Sequence, residues 1–244
     1  TLDYADGSRF SKLADGRGSS LERRDPDSPS RHVSNWADSD ESAKSSWTTV
    51  EVTGTLAHGN LAAESNPATD VQFLLLGEGE VLVDLVEVIP DGGSDLVNNG
   101  GFESGSDGWD FDGNHRDSRV ESGDAFAGSN ALRLVANRRG DPIANRVRSK
   151  LTTAIPAGTT ATLRARVRWL KGHPEFDLRL KGGWLEGARA LTVPTDLGTP
   201  GALNSSATAN AAPDISDVIH RPVLPPAGLP FRVFARVEDP DGIT

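Results

Sequence analysis

The segment TATLRARVRWL, Thr160–Leu170, decides the fold because its apolar and polar residues alternate with a period of two. Successive side chains of a β-strand point to opposite faces of a sheet, so the alternation predicts a strand with one buried face. That predicted buried face carries Leu163, Ala165, Val167 and Trp169. The other face carries Arg164, Arg166 and Arg168. We interpret this arginine row as a solvated outer face, with contact to an anionic glycan or an acidic neighbouring domain as the alternative.

The same alternation occurs on both sides of this strand. WTTVEVTGTL, Trp47–Leu56, is a predicted strand, and DVQFLLLGEGEVLVDLVEVI, Asp70–Ile89, predicts two strands in a hairpin around Gly77–Gly79. Further predicted strands are Ser129–Ala136, Asn145–Thr153 and EFDLRLKGGW, Glu175–Trp184. No segment of ordinary helix length has a clear 3.6-residue period. We therefore predict an all-β fold of β-sandwiches, in which Trp47–Gly54 and Val81–Val88 pair within the same sandwich as residues 129–181.

The composition supports this fold class and excludes several classes of function. The 244 residues include 26 Gly and 15 Pro and are only 36% hydrophobic, as is typical of loop-rich all-β proteins. A net charge of -10 argues against nucleic-acid binding, which needs a basic surface. No run of about 18 apolar residues is present, so we expect no membrane insertion. Cysteine is absent, which excludes disulfides and thiolate catalysis. The chain also lacks methionine, and its first residues lack the features of a signal peptide, so we expect it to be part of a longer protein.

Two separate segments resemble parts of one small domain. Residues 1–46 contain DYADGSRFSKLADGRGSSLERRDPDSPSRHVSNWADSD, and GTPGALNS lies far downstream at Gly198–Ser205. Together they resemble the C-terminal half and the closing tail of a bacterial lamin-tail domain, an immunoglobulin-like β-sandwich. The resemblance implies that residues 193–210 are the closing segment and a linker, and that Gly198–Ser205 returns to pack beside residues 1–46. It also implies that the long interval between them is an inserted domain.

The inserted residues resemble a second family. SDLVNNGGFESGSDGW, Ser94–Trp109, and GSNALRLVA, Gly128–Ala136, resemble the opening of galactose-binding-like jelly rolls of the carbohydrate-binding-module type. The last strands of that family resemble Trp47–Gly54 and Gly79–Val88, which come first here. The resemblance therefore implies a circularly permuted jelly roll over residues 47–192. Two truncated jelly rolls are the alternative.

Residues 211–244 resemble the start of an immunoglobulin-like or fibronectin-like module. Their segment FRVFARVED, Phe231–Asp239, predicts a strand with alternating faces. Arrays of such modules are typical of large secreted bacterial proteins, some of which also carry a kinase-like domain of the spore-coat protein H type. The resemblance implies a multidomain protein at the cell surface or outside the cell.

The jelly-roll resemblance also implies a structural Ca²⁺. The matching positions are Glu103 of GGFE and Asp84 of LVDLVEV, with carbonyl groups near Gly128 as further oxygen ligands. Leu85 stands where that family has a second acidic residue, so one ligand is missing. The alternative is that both carboxylates are merely solvated.

Sugar binding requires exposed aromatic faces and a few polar side chains. The aromatic and imidazole candidates are Trp109, Phe111, His115, Trp169 and Trp184. Alternation assigns Trp169 to the core, so the predicted ligand-binding residues are Trp109, His115 and Trp184. Trp184 is the tryptophan that the pattern commits least to the core.

The sequence contains neither GxSxG nor HExxH, and we expect no enzymatic activity. We predict a non-catalytic extracellular binding or scaffolding module set, adhesive or polysaccharide-binding, at a bacterial surface. One alternative is a structural protein that self-associates into filaments by strand complementation. Another is an accessory region of a longer enzyme.

Overall fold

The computed structural model describes residues 10, 12–15, 18–57, 67–138, 144–181, 185–239 and 242, and nearly all of its regular structure is β. This confirms the predicted all-β, β-sandwich fold class. The chain forms two compact units: Glu41–Thr195, and Thr1–Asp40 with Asp196–Thr244. Among the described residues, no helix combines the length and apolar character needed to cross a membrane.

The larger unit consists of two five-stranded antiparallel sheets. Their strands are β3 (Trp47–Thr55), β4 (Ala68–Leu75), β5 (Gly79–Pro90), β6 (Trp109–Asp112), β7 (Arg119–Ser122), β8 (Asn130–Ala136), β9 (Arg146–Ile155), β10 (Thr160–Gly172), β11 (Glu175–Leu180) and β12 (Glu186–Ala190). One sheet has the order β3-β10-β5-β8-β7 and the other β12-β11-β4-β9-β6. The predicted hairpin over Asp70–Ile89 is therefore wrong, because its two strands, β4 and β5, belong to different sheets. A 3-10 turn, Gly113–His115, follows β6.

Strand β10 lies between β3 and β5 in its sheet. Val167 lies opposite Thr48 of β3 and Val83 of β5. Strand β5 in turn pairs with β8, which confirms that Trp47–Gly54 and Val81–Val88 belong to the same sandwich as residues 129–181. The apolar face of β10 is buried throughout, and Trp169 is only 1% exposed.

The arginine row on β10 is half-buried, because acidic and aromatic groups of the same unit contact it. Arg164 forms ion pairs with Glu51 at 2.6 Å and Glu87 at 3.3 Å. Arg166 lies over the ring of Phe126, 4.9 Å from its centroid. Arg168 pairs with Asp124 and lies 5.6 Å from the ring centroid of Trp47. The row therefore binds the loop that carries Asp124 and Phe126, and is not simply a solvated face.

The smaller unit contains two short antiparallel pairs. Strand β1 (Leu21–Arg23) pairs with β2 (Trp36–Asp38), and β13 (Asp214–Arg221) pairs with β14 (Arg232–Glu238). Short 3-10 turns occur at Lys12–Ala14 and Val33–Asn35. The amide of Asn35 is fully buried, and its Nδ2 donates to the carbonyl oxygens of Asp25 and Ser28. This side chain fixes the turn between β1 and β2 in place of regular backbone pairing.

The GTPGALNS segment packs beside β1, as predicted. Glu22 is 4% exposed, and its carboxylate accepts hydrogen bonds from Thr199 Oγ1 at 2.7 Å and Ser205 Oγ at 2.6 Å. Asn204 Nδ2 donates to the Arg23 carbonyl oxygen at 2.8 Å. Burial alone would raise the pKa of Glu22, but these hydroxyls and Ser206 lower it below its ordinary value. The ionised carboxylate therefore holds the returning segment.

A β-bulge interrupts the pairing of β5 with β10. The register shifts so that Leu85 and Val86 both lie opposite Ala165, and Leu85 takes the left-handed φ of 46°. The Val86 N–H donates to the carbonyl oxygen of Gly100 at 2.9 Å. A Cβ on Gly100 would lie 2.1 Å from the Val86 carbonyl oxygen. The bulge therefore requires a glycine at position 100.

We expect Gly100→Ala to lower the free energy of unfolding by at least about 2 kcal/mol, because the added methyl group overlaps backbone that cannot move freely. Gly101→Ala is the matched control, since its Cβ would make ordinary contacts of 3.6 Å and 3.7 Å. Chemical denaturation of the two variants measures the difference. Equal stability of both would contradict the proposed constraint.

Candidate functional site

Two carboxylates of the larger unit hold one loop, each by accepting a different pair of backbone N–H groups. Asp84 is fully buried, and its Oδ2 accepts the N–H groups of Phe126 at 2.9 Å and Ala127 at 3.0 Å. Glu103 Oε1 accepts the N–H groups of Ser129 at 2.8 Å and Asn130 at 3.0 Å. We call residues 123–130 the carboxylate-held loop. The two residues that the sequence predicted as Ca²⁺ ligands thus contact the same loop.

The carboxylate of Asp84 is electrostatically unusual. Burial raises its pKa, the N–H groups of Ala127, Leu85 and Phe126 lower it, and the negative charge of Glu103 raises it further. The loop must also come very close to Glu103, because a Cβ on Gly128 would lie 2.3 Å from Glu103 Oε1. The buried carboxylate of Asp84 and the exposed carboxylate of Glu103 therefore act on each other electrostatically and contact the same loop.

This arrangement fits a hard cation only in part. Ca²⁺ takes six to eight oxygen ligands, commonly carboxylates, backbone carbonyls and water. Within the described residues, no group of three or more His, Asp or Glu side chains is close enough to bind one metal ion. Asp84 and Glu103 would supply the two charged ligands, and the remaining ligands would be carbonyl groups of the loop and water. Leu85, as the sequence indicated, adds no side-chain ligand.

A polar cleft of about 370 Å³ opens where β6 and β8 end and β9 begins. We call it the Asn/Arg cleft, and its lining residues are Gly113, Asn114, Arg116, Asn137, Arg138 and Asn145. Planar amides and guanidinium groups present donors and acceptors at fixed angles. In the part of the chain that the structure describes, neither Arg116 nor Arg138 forms an ion pair. The cleft thus offers two cationic groups that no carboxylate neutralises there.

Asn114 is the central residue of the cleft. Its backbone N–H donates to Asn145 Oδ1 at 3.1 Å, and its Nδ2 donates to the Arg138 carbonyl oxygen at 2.9 Å. The side chain is 6% exposed, and among the described residues its Oδ1 atom has no hydrogen-bond partner. A buried acceptor without a donor is costly, typically about 1–3 kcal/mol. Asn114 therefore has an unused hydrogen-bonding capacity beside the cleft.

Gly113 permits this geometry. It has a φ of 64°, and a Cβ at this position would lie 2.1 Å from Asn145 Oδ1. Arg116 Nε donates to the Gly113 carbonyl oxygen at 3.2 Å. The glycine thus lets the 3-10 turn come against Asn145, and the turn in turn places Asn114 and Arg116 on the same cleft.

His115 lies beneath the cleft and does not line it. The imidazole is fully buried, and its Nε2 accepts the backbone N–H of Leu75 in β4 at 3.0 Å. Burial lowers the pKa of His115 to about 4, partly offset by the backbone of Asn114. The neutral ring thus anchors the 3-10 turn to the sheet. This differs from the predicted ligand contact, because no face or edge of the ring reaches solvent.

The predicted tryptophans have different outcomes. Trp109 is 6% exposed, packs against Phe73 and Phe102, and donates from Nε1 to the Asn99 carbonyl oxygen at 3.0 Å. Its ring therefore offers no free face to a sugar, although it borders a second cleft of about 350 Å³. The other lining residues of that cleft are Asp70, Asn98, Gly108, Asp110, Arg148, Ser149 and Lys150. Trp184 lies outside the described residues.

Sequence reasoning missed the residues of the Asn/Arg cleft because it searched for aromatic side chains. A recurring pair of residues in the sequence could have indicated the cleft. Asn is followed within two residues by Arg at three places, Asn114–Arg116, Asn137–Arg138 and Asn145–Arg146. The ends of β6 and β8 and the start of β9 bring these loops together.

Comparisons of the chain with protein-family models, with curated proteins and with solved structures find no match. The lamin-tail and jelly-roll resemblances therefore stay predictions.

The burial of His115 predicts a pH-dependent stability. The unfolded chain protonates this imidazole below its ordinary pKa of 6.5, whereas the folded chain resists protonation down to about 4. Stability is therefore lost as the pH falls from about 6.5 to about 4, by roughly 3 kcal/mol from this group alone. We expect His115→Gln to remove that slope from urea denaturation curves followed by tryptophan fluorescence.

His220→Gln, at an exposed histidine, is the control that should keep the slope. The readout is the change in stability between pH 5 and pH 6.5, so a lower absolute stability of the His115 variant does not affect it. An unchanged slope in His115→Gln would count against the assignment.

Proposed function

We propose that this chain is a non-catalytic, extracellular binding and scaffolding unit that binds polysaccharide in the Asn/Arg cleft. The observation that supports the proposal best is the composition of the cleft, with three amides and two guanidinium groups free of ion pairs among the described residues, around the unsatisfied Oδ1 of Asn114. Adjacent sugar hydroxyls both donate and accept hydrogen bonds, as amides do.

The charge distribution supports a carbohydrate over a nucleic acid. Arg116 and Arg138 give the cleft local positive charge, whereas the chain as a whole carries -10. A long polyphosphate would be repelled by that net charge. A polysaccharide with occasional carboxylate groups can use the two guanidinium groups locally, in bidentate pairs. Such a unit would act at a bacterial surface or in a secreted assembly.

The proposal is tested by a glycan array with the full chain, followed by calorimetry with the polysaccharides that bind. We expect Asn114→Ala and Arg138→Ala each to weaken binding by at least about tenfold, or about 1.4 kcal/mol. Arg119→Ala is the matched control, because this exposed arginine on β7 lies outside the cleft lining. Melting curves establish that each variant is folded. Absence of binding by the unaltered chain, or equal binding by all three variants, would contradict the proposal.

We also propose that the carboxylate-held loop binds Ca²⁺ through Asp84 and Glu103. The support is the burial of Asp84 and the approach of both carboxylates to the same loop. The bound cation would neutralise two adjacent negative charges and tie β5 more firmly to the loop. Because binding to the folded state alone is stabilising, Ca²⁺ at about 100 times its Kd would add about 2.7 kcal/mol.

Melting temperatures measured with Ca²⁺ and with a chelator test this site. We expect the chelator to lower the melting temperature of the unaltered chain. Glu103→Gln should remove the difference, since it keeps an oxygen acceptor for Ser129 and Asn130 but loses the charge. Glu186→Gln, at an exposed carboxylate on β12, should leave it intact. An equal melting temperature of the unaltered chain with Ca²⁺ and with the chelator would rule the site out.

A further inference from the structure

The hairpin of β13 and β14 exposes an unusual amount of apolar surface. Its exposed large apolar residues range from Val237 at 37% to Leu224 at 87%. They are Ile215, Val218, Ile219, Val223, Leu224, Leu229, Phe231, Val233, Phe234 and Val237. Contiguous apolar exposure of this kind marks an interaction surface. A two-stranded hairpin is itself marginally stable, and three or more strands are normally needed.

The register of the hairpin separates its two faces. Val237 lies opposite Ile215 and Val233 opposite His220, so these residues share one face with Ala235. On the other face Phe234 lies opposite Ile219. Both faces are exposed, and β14 has the alternation predicted for Phe231–Asp239. In the part of the chain that the structure describes, β13 is the sole strand paired with β14, so the other edge of β14 is unpaired.

Like charges lie opposite each other at both ends of the hairpin. Arg232 faces Arg221, and Glu238 faces Asp214. Such pairs are destabilising within a sheet. At the acidic end Glu238 also contacts Arg31 at 2.9 Å, His32 at 3.1 Å, and Arg236. At the basic end, no ion pair to either arginine occurs within the described residues.

The sequence of β14, RVFARVE, is complementary to itself when read antiparallel about Ala235. Arg232 then meets Glu238 of the other strand, Val233 meets Val237, and Phe234 meets Arg236. Each cross-strand pair is of a favourable kind: an opposite-charge pair, an apolar pair and a cation–π pair. The arrangement also puts a carboxylate beside the unneutralised arginines of the basic end.

We propose that β14 pairs edge to edge with β14 of a second copy of this chain. The two hairpins then form one four-stranded antiparallel sheet about a two-fold axis through Ala235. This contact satisfies the free backbone groups of both edges and raises the strand number from two to four. The interface is isologous and uses the same edge of both copies, so it closes on itself and gives a dimer and no filament. It is independent of the proposed polysaccharide site.

Sedimentation velocity of the full chain from micromolar to millimolar concentration tests the proposal. We expect a reversible monomer–dimer equilibrium. Arg232→Glu should weaken the dimer by at least about tenfold, because it puts a second carboxylate opposite Glu238 of the other copy in both symmetric positions. Within one hairpin the same change replaces a repulsive pair with Arg221 by an attractive one, so loss of dimer cannot be attributed to a weakened hairpin.

Two further variants sharpen the result. Arg221→Glu changes the net charge equally but lies on β13, away from the proposed edge, and should keep the dimer. The double variant Arg232→Glu/Glu238→Arg restores opposite charges across the axis and should recover dimerisation. A chain that stays monomeric throughout, polymers that grow with concentration, or a dimer unaffected by Arg232→Glu would each overturn the proposal.

Discussion

The buried carboxylate of Asp84 links the bulge in β5 to the carboxylate-held loop of the larger unit. Removing an ionised carboxylate from water is costly unless hydrogen bonds replace its hydration. Here the N–H of Leu85 donates to one oxygen at 2.7 Å, and the N–H groups of Phe126 and Ala127 donate to the other. The bulge at Leu85 supplies the first of these donors, and the carboxylate-held loop supplies the others. Bulge, carboxylate and loop therefore have to form together.

The carboxylate-held loop also covers part of the arginine row on the outer face of β10. It carries Phe126, which packs edge-on against Trp47 at 5.8 Å and covers Arg166. Asp124 from the same loop pairs with Arg168. A face that looks like a solvent-exposed row of cations in the sequence thus becomes the support of a loop. The arginines contribute less by attracting an external anion than by holding residues of their own chain.

The sequence predicted the strands better than the site, for a physical reason. Period-two alternation is local, so β3 and β10 could be recognised as strands from residues 47–56 and 160–170 alone. The return of Gly198–Ser205 to β1 was predicted from a resemblance and is confirmed by its hydrogen bonds to Glu22. The burial of His115 could not be predicted, because it depends on the N–H of Leu75, forty residues away in the chain. The Asn/Arg cleft likewise arises from three loops that only the fold brings together.

Buried polar side chains perform the same task throughout the protein. Asn35 fixes the turn before β2, Glu22 holds the returning segment, and His115 anchors the turn beneath the cleft. In each case a loop-rich chain with little apolar content replaces missing backbone pairing by a hydrogen-bonded side chain. Against that background, Asn114 keeps an unsatisfied acceptor beside a cleft, and within the described residues β14 keeps an unpaired edge. The Asn114 acceptor is itself buried, so a ligand in the cleft meets the exposed guanidinium groups of Arg116 and Arg138 first. The edge of β14 is exposed, so a matching strand can supply its missing backbone partners directly.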